Sequence, residues 1–467
     1  MKDLRPESQR RPKPITPATT TQGQPAGTKP KWIFLFIFGA SIIVVSRWYY
    51  VEQYAVALPF WDQWDAEWAK LLKPWTEGTL RLSDLWAAHN EHRILPTRLL
   101  TLLCFELSGS WNNLYEARLN IPLSAVTPLL LLWLLYKEGE IQGVRWLLVA
   151  VILAGASLPF SWENILIGFQ SQFYFIQVFT LSSLALAVHR PDQGWSIFLI
   201  LGLSLLSMLT LASGLLTPLA VAAVYGSRAL VQRQMTFKSM GFILLLVLMA
   251  ALAYWTMPYN MGHQALRAEN ATEFMEAVIR VMAWPFSEDN LRYGVMWLPA
   301  LVALPMLLGR RLMGKTDLLM LGCLVWTAMQ GMALAYGRGH NLLHLPPRYT
   351  DFLLLGLAAN TWFVLRAPEV LGDRTGTRWG LRFAALFFIC ALLNSYKKHT
   401  KNDHKIMRKE HEIRLIQTEN VEAYLKAGDP SVLDKPGFQI PYPDHKRLQH
   451  MLDDPGLRKV LPKKDKR

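Results

Sequence analysis

The sequence predicts an all-α membrane protein with about eleven transmembrane helices, a large outer first loop and a short soluble C-terminal tail. Of its 467 residues, 52% are hydrophobic and only 18% are charged, and apolar runs recur along the chain. A bilayer core of roughly 30 Å needs about 20 apolar residues for each spanning helix. We therefore expect most of the chain to lie in lipid.

The charge distribution predicts the orientation. The formal net charge is +14, and Lys and Arg lie mainly in the tails and in short connections between apolar runs. This is the positive-inside pattern of membrane proteins, so membrane lipids are expected as partners and nucleic acid is not. Each cysteine stands alone inside an apolar stretch, which excludes a disulfide framework and a metal knuckle. The cysteines are Cys104, Cys323 and Cys390.

The first element is a polar tail, residues 1–30, which has too few apolar side chains to fold and is predicted to be disordered and cytoplasmic. A transmembrane domain, residues 31–395, follows. Its first run follows two lysines and has no small-residue cleavage site after it, so it is predicted to be a retained anchor. The predicted spans are 32–51, 119–136, 145–160, 171–188, 195–211, 214–226, 239–257, 294–309, 317–336, 351–366 and 379–395.

Because the N-terminus is predicted to be cytoplasmic and successive spans cross the membrane in opposite directions, the first loop, residues 52–118, is predicted to lie outside the cell membrane. An odd number of spans also places the C-terminal region, residues 396–467, on that side, which is the periplasm of a bacterial inner membrane. The stretch 94–109 is apolar but short and carries two charged residues, so we predict an interfacial helix there.

The first outer loop opens with PFWDQWDAEW, in which Trp61, Trp64 and Trp68 share one helical face. A tryptophan face suits the lipid headgroup layer. Asp62 and Asp65 stand one turn apart on the neighbouring stripe. They are predicted to be either a solvated face or a catalytic or metal-binding pair, and the residues alone leave both open.

Polar residues crowd the HNEHRILPTR segment of the same loop. His89 and His92 have a spacing that suits two zinc ligands, but no third ligand is near, so a hydrogen-bonded cluster or a substrate site is favoured. Later, SWENILIGFQ places carboxylate and amide groups at the outer end of two spans, where interhelical hydrogen bonding and substrate contact are both open. The candidate substrate-binding residues of these two segments are His89, Glu91, His92, Arg93, Glu163 and Gln170.

The last candidate group lies in GRGHNLLHLPPRYTD, residues 337–351. Arg338, His340 and Arg348 provide positive charge close to the bilayer surface. Arginine's planar fork suits phosphate oxygens, whereas an isolated arginine at this depth commonly anchors in the headgroups. Because outer loops are less basic than inner ones, we favour phosphate binding for Arg348.

These motifs together resemble a known superfamily. A basic tail, one span, a first outer loop with WDQWD and HNEHRILPTR, a later WENILIGFQ and a final PPRY look like bacterial membrane proteins grouped with the GT-C glycosyltransferases. The likeness covers roughly residues 32–395. The first-loop motif departs from the family's adjacent acidic residues, and the C-terminal soluble part is short.

The resemblance implies a GT-C-like fold and a glycosyltransferase, transferring a hexosyl or pentosyl group, that uses a polyprenyl-phosphate sugar donor and a glycan, lipid or protein acceptor at the outer leaflet. Asp62 or Asp65 would be the general base or a ligand of a divalent cation, Mg²⁺ or Mn²⁺, and the metal requirement stays open. Arg348, together with Arg338, would bind the donor phosphate. The alternatives are a lipid or glycolipid transporter or flippase, and a non-catalytic subunit of envelope assembly.

Overall fold

The computed structural model describes residues 29–258, 260–286, 297–372 and 374–462, and its regular elements in these ranges are all helices. The predicted disordered tail lies outside the described residues except for its last two positions. The α-helices are α1 (Lys29–Tyr54), α2 (Lys73–Thr76), α3 (Leu95–Ser108), α4 (Asn113–Lys137), α5 (Trp146–Ser157), α6 (Trp162–Leu166), α7 (Ser171–His189), α8 (Gly194–Met208), α9 (Leu216–Gln232), α10 (Phe237–Trp255), α11 (Ala271–Ala283), α12 (Leu298–Arg310), α13 (Lys315–Arg338), α14 (Thr350–Val370), α15 (Thr375–Ala427), α16 (His445–Leu452) and α17 (Pro455–Val460).

Eight helical segments in the described ranges are long and apolar enough to cross a membrane. The prediction of an all-α, multi-pass membrane protein is therefore confirmed. The segments are Trp32–Tyr54, Asn113–Lys137, Gly143–Leu166, Gly168–His189, Ala212–Gln232, Phe237–Trp255, Lys315–Arg338 and Thr375–Ala427.

The other three predicted spans coincide with helices of a different character. Helix α8 has 15 residues and α12 has 13, so both are short for a bilayer. Helix α14 has 21 residues but carries an aspartate in its first turn and Arg366 and Glu369 near its end. Residues 294–296 of the predicted 294–309 span lie outside the described residues.

The membrane helices divide into a buried centre and a lipid-facing rim. Helices α7, α9, α13 and α14 form the centre, where Trp326 and Phe363 are fully buried. The rim helices α1, α10 and α15 expose large apolar side chains, for example Phe34, Leu244 and Phe387. Apolar side chains turned outward on several helices fit a hydrocarbon surround.

The first loop and the C-terminal region pack together as one extramembrane domain, residues 58–112 and 421–461. Its core joins Trp64, Trp68 and Trp111 of the loop to Leu448 and Leu452 of α16. Two polar contacts stabilise the same interface. Nζ of Lys73 donates to Asp454 at 2.8 Å. The backbone N–H of Trp111 donates to the Val460 carbonyl at 2.8 Å. The predicted C-terminal tail is thus folded against the first loop.

The tryptophans differ from the predicted membrane-facing stripe. Trp61 has a left-handed φ of 50° and precedes the helix. Residues Trp64–Leu72 form a π-helix, in which Trp64 and Trp68 are buried against Trp111 with ring centroids 5.1 and 6.0 Å away. The C-terminal region supplies the apolar surface that the sequence analysis assigned to lipid.

Helix α3 occupies the segment predicted to be interfacial. This helix carries three leucines spaced one turn apart, and the side chain of each is about half exposed or more: Leu99, Leu103 and Leu107. An exposed leucine row on a 14-residue helix fits the surface of a bilayer better than its interior.

Candidate functional site

A tight turn presents Asp62 at the surface of the extramembrane domain. The Gln63 amide oxygen accepts from the Phe60 N–H at 2.9 Å, and the Trp61 N–H donates to the Pro441 carbonyl at 2.8 Å. These bonds hold the left-handed turn in front of the π-helix. The side chain of Asp62 remains 54% exposed, so its carboxylate can meet a ligand.

His89 lies beside this carboxylate. His89 and His92 exchange two backbone hydrogen bonds of 2.8 and 2.9 Å around Asn90, whose φ is 53°. The buried imidazole of His89 packs edge-on against Phe169, and its Nε2 is 3.7 Å from Oδ1 of Asp62. The two histidines thus serve as the ends of a turn, and His89 holds the aspartate.

His92 is a neutral imidazole. Its Nδ1 accepts from the Ala212 N–H at 3.1 Å, so in the neutral ring the proton is on Nε2. Burial lowers the pKa of His92 to about 4, although the charge of Glu91 opposes this shift. At neutral pH His92 therefore offers a hydrogen-bond donor, and it carries a positive charge only in the acidic range in which carboxylates such as Glu91 and Asp62 also titrate.

Glu91 and Arg338 belong to a second, adjoining cluster. Oε2 of Glu91 lies 2.7 Å from Nδ1 of His263, and Oε1 lies 3.7 Å from Nη2 of Arg338. Burial raises the pKa of Glu91, but the neighbouring His92, its own backbone N–H and His263 outweigh burial and hold the pKa below its usual value. Arg338 is therefore paired within the protein through an ionised glutamate.

Arg348 lies within electrostatic range of Asp62, although the two residues are far apart in the sequence. Its Nη1 donates to Oε2 of Glu163 at 2.8 Å, its guanidinium lies 5.0 Å from the Tyr349 ring centroid, and its side chain is 34% exposed. Burial opposes ionisation of Asp62, but His89 first, and then the charges of Arg348 and His92, hold the pKa of Asp62 below its usual value. The fold therefore brings two segments separated by almost three hundred residues into electrostatic range of each other.

Asp65 is turned away from this surface. It accepts a hydrogen bond from the Tyr442 hydroxyl at 2.9 Å and forms an ion pair with Arg447. Both partners belong to the C-terminal region, so Asp65 fastens that region to the first loop.

Three further predicted residues lie apart from Asp62 and bind other protein groups. Arg93 donates to the carbonyls of residues 86 and 256 at 3.2 and 3.3 Å. Gln170 accepts from the side chain of Gln172 at 3.3 Å. His340 lies 3.1 Å from an oxygen of Glu273.

The His340 group is the cluster that could hold a cation. Ligand atoms of Glu269, Glu273 and His340 lie within 4.8 Å of one another, the only such three-residue group within the described ranges. Asn341 already donates its backbone N–H to Glu273 at 3.0 Å, and Glu269 is exposed. Asp62 is not part of such a three-ligand cluster among the described residues.

Beneath the Asp62 surface, a charged pair that the sequence analysis missed lies inside the helical bundle. Arg47 of α1 donates to the Ala156 carbonyl at 3.0 Å and to the Tyr174 hydroxyl at 2.9 Å, and its Nη2 is 3.9 Å from Asp351. These groups line a cavity of about 40 Å³. The side-chain amide of Asn164 donates two hydrogen bonds of 2.8 Å, one to Asp351 and one to the backbone carbonyl of Arg348. The signal in the sequence for this pair was Arg47, a charged residue within the apolar run 32–51.

A buried carboxyl pair underlies the same turn. Gln63 and Trp111 donate to Oε2 of Glu67 at 3.0 and 2.8 Å, while Oε1 of Glu67 is buried beside Glu116. Desolvation raises the pKa of Glu67 to about 7, against the hydrogen bonds it accepts. Gln63 therefore bonds both Glu67 and the Phe60 N–H of the Asp62 turn.

No protein-family model, curated protein sequence or solved structure matches this chain. The likeness to the GT-C enzymes therefore stays a prediction made from short motifs. The functional argument depends on the geometry of the surface at Asp62.

Proposed function

We propose that the protein is a glycosyltransferase that moves a sugar from a polyprenyl-phosphate donor to an acceptor at the outer face of the inner membrane. The observation that supports this most is that an exposed, ionised Asp62 lies within range of the positive charge of Arg348. A carboxylate and a guanidinium on one surface are the two groups that displacement of a phosphate leaving group needs.

The chemistry assigns one step to each group. Asp62 accepts the proton of an acceptor hydroxyl as its oxygen bonds to the anomeric carbon of the sugar. The bond between that carbon and the phosphate oxygen breaks, and the prenyl phosphate leaves with the electron pair. Arg348 stabilises the departing charge, and His89 holds the carboxylate in place at 3.7 Å.

Eleven crossings, with a cytoplasmic N-terminus and a periplasmic C-terminus, agree with the contacts. The extramembrane domain joins the first loop to the C-terminal region, so the chain crosses the membrane an even number of times between them. Seven of the eight long apolar segments follow α1, which alone would give an odd number of crossings. If α8, α12 and α14 also cross the membrane, the number of crossings after the first loop becomes even. Helix α8 ends where Ile94 of the first loop bonds the Thr210 carbonyl at 3.0 Å, which supports counting it as a crossing.

A lipid or glycolipid transporter is the second candidate, favoured by the Arg47–Asp351 cavity. Ionisable groups at membrane depth commonly mark a transport path or a proton relay. The cavity of about 40 Å³ has room for only a few waters, which favours chemistry at the surface. A non-catalytic assembly subunit would leave the exposed Asp62 without a role.

Transfer in proteoliposomes separates these functions. The purified full chain is supplied with a fluorescent acceptor lipid and a set of polyprenyl-phosphate sugars, and product is followed by chromatography. We expect product with at least one donor, and none with Asp62→Asn. Movement of labelled lipid between leaflets, unchanged in Asp62→Asn and lost in Asp351→Asn, would instead support the transporter.

A further inference from the structure

Arg414 of α15 is a buried arginine whose side chain makes no hydrogen bond among the described residues. It is 2% exposed, and its Nε and Nη1 atoms are buried without an acceptor. Arg98 is buried to the same degree and also leaves two nitrogens, Nε and Nη2, without an acceptor, but its Nη1 donates to several backbone carbonyls at 2.7–3.4 Å, whereas no side-chain nitrogen of Arg414 has a hydrogen bond among the described residues. Arginine remains charged in proteins, so buried donors of this kind are suited to an anionic acceptor.

Arg414 lies beneath the Asp62 turn and near the expected level of the lipid headgroups. Its guanidinium is 4.3 Å from the ring centroid of Phe60, two residues before Asp62. One turn earlier on α15, Nδ1 of His411 is 3.0 Å from the carbonyl of Tyr54, the last residue of α1. Arg414 therefore lies just beyond the end of a membrane helix.

Glu163 links Arg414 to Arg348. Glu163 forms the 2.8 Å ion pair with Arg348, and its charge also acts on Arg414 together with that of Glu410. Neither carboxylate lies within hydrogen-bond distance of Arg414. The two arginines, from loop 337–351 and from the C-terminal helix, thus both lie within electrostatic range of one glutamate.

We propose that Arg414 and Arg348 form an anion subsite that binds the phosphoryl oxygens of a phosphate monoester. This rests on the proposed function, because it adds Arg414 to the donor end of the same site. A planar guanidinium matches two phosphate oxygens, and two guanidinium groups at fixed positions discriminate a phosphate from a neutral headgroup. The ring face of Phe60 holds the Arg414 fork in its plane.

Binding by the full chain in nanodiscs tests the subsite. The probes are farnesyl phosphate, the uncharged farnesol and inorganic phosphate, and binding is read from the shift of the thermal midpoint with probe concentration. We expect farnesyl phosphate to bind, farnesol to bind at least tenfold more weakly, and Arg414→Gln to lose about tenfold or more in affinity for the phosphate.

Three variants make the outcome specific. Arg414→Lys keeps the charge without the fork and should fall between the wild type and Arg414→Gln. Lys409→Gln, an exposed change on the same helix, should bind like the wild type. Equal binding of farnesyl phosphate by the wild type and Arg414→Gln would overturn the proposal, as would no binding by the wild type.

The sources of phosphate and the two proposals are distinguishable. Inorganic phosphate that binds as tightly as farnesyl phosphate, and loses affinity in Arg414→Gln, would support the subsite with a soluble anion as its ligand. If binding depends on Arg414 but no donor yields transfer, the proposed function fails and the anion subsite remains.

Discussion

Asp62 and Asp65 lie three residues apart in one loop, yet the fold uses them differently. Asp62 is 54% exposed and faces His89 in the charge field of Arg348. Asp65 is 25% exposed and is bound by Tyr442 and Arg447 of the C-terminal region. One carboxylate is accessible for chemistry, and the other holds two parts of the chain together.

The difference arises from the backbone between them. The left-handed turn at Trp61 and the π-helix from Trp64 to Leu72 rotate the two side chains away from the shared stripe that a regular helix would give. Spacing alone therefore pairs two acids that the tertiary structure separates.

The largest expected effect separates the two acids by activity. Asp62→Asn should reduce the rate of glycosyl transfer by about 10²–10⁴-fold, because it removes a general base. Asp65→Asn should stay within about threefold of the wild type, because its losses are structural. Initial rates in proteoliposomes provide the measurement, and equal losses in both variants would contradict the division of roles.

The next effect concerns Glu67, the third carboxyl of this segment. Its folded pKa of about 7 lies above the value in an unfolded chain, so its stabilising contribution is complete below about pH 4 and is lost as the pH rises through 7. The thermal midpoint of the wild type should fall by roughly 2–5 °C between pH 5 and 8.

Glu67→Gln should flatten that pH dependence, because glutamine keeps the hydrogen bonds without titrating. Glu106→Gln, at an exposed glutamate, should retain it. A wild-type midpoint that is constant from pH 5 to 8 would show that Glu67 is ionised in the folded protein.

A smaller effect tests which residues of HNEHR support Asp62. His89→Gln should cost about tenfold in transfer rate, because the imidazole that lies 3.7 Å from the carboxylate is lost. Arg93→Gln should cost about twofold or less, since Arg93 bonds only backbone carbonyls away from Asp62. Similar losses in both variants would mean that the segment acts as a unit.

The smallest effect is the coupling between Asp65 and Arg447. This ion pair is partly exposed, with side chains 25% and 52% accessible, so solvent screens it. A double-mutant cycle with Asp65→Asn and Arg447→Gln should give a coupling of about 0.5–1 kcal/mol in unfolding. Zero coupling would leave Tyr442 as the residue that holds Asp65.

The membrane fold was predictable because apolar runs and basic connections are local properties of the sequence. The folded extramembrane domain was not, since its core joins Trp64 and Trp111 to helices more than three hundred residues later. For the same reason Asp62, His89 and Arg348 could be listed as candidates but not brought together. Arg47 and Arg414 were missed because their roles depend on neighbours from other helices.

Sided labelling tests the central claim, that the Asp62 surface lies on the outer face of the membrane, most directly. In a cysteine-free chain, Asp62→Cys and Gly437→Cys mark the two halves of the extramembrane domain, and Arg311→Cys marks the opposite side; all three positions are exposed. A membrane-impermeant maleimide should label the first two in intact spheroplasts and label Arg311→Cys only after permeabilisation. Labelling of Arg311→Cys in intact spheroplasts, with Asp62→Cys protected, would contradict the account.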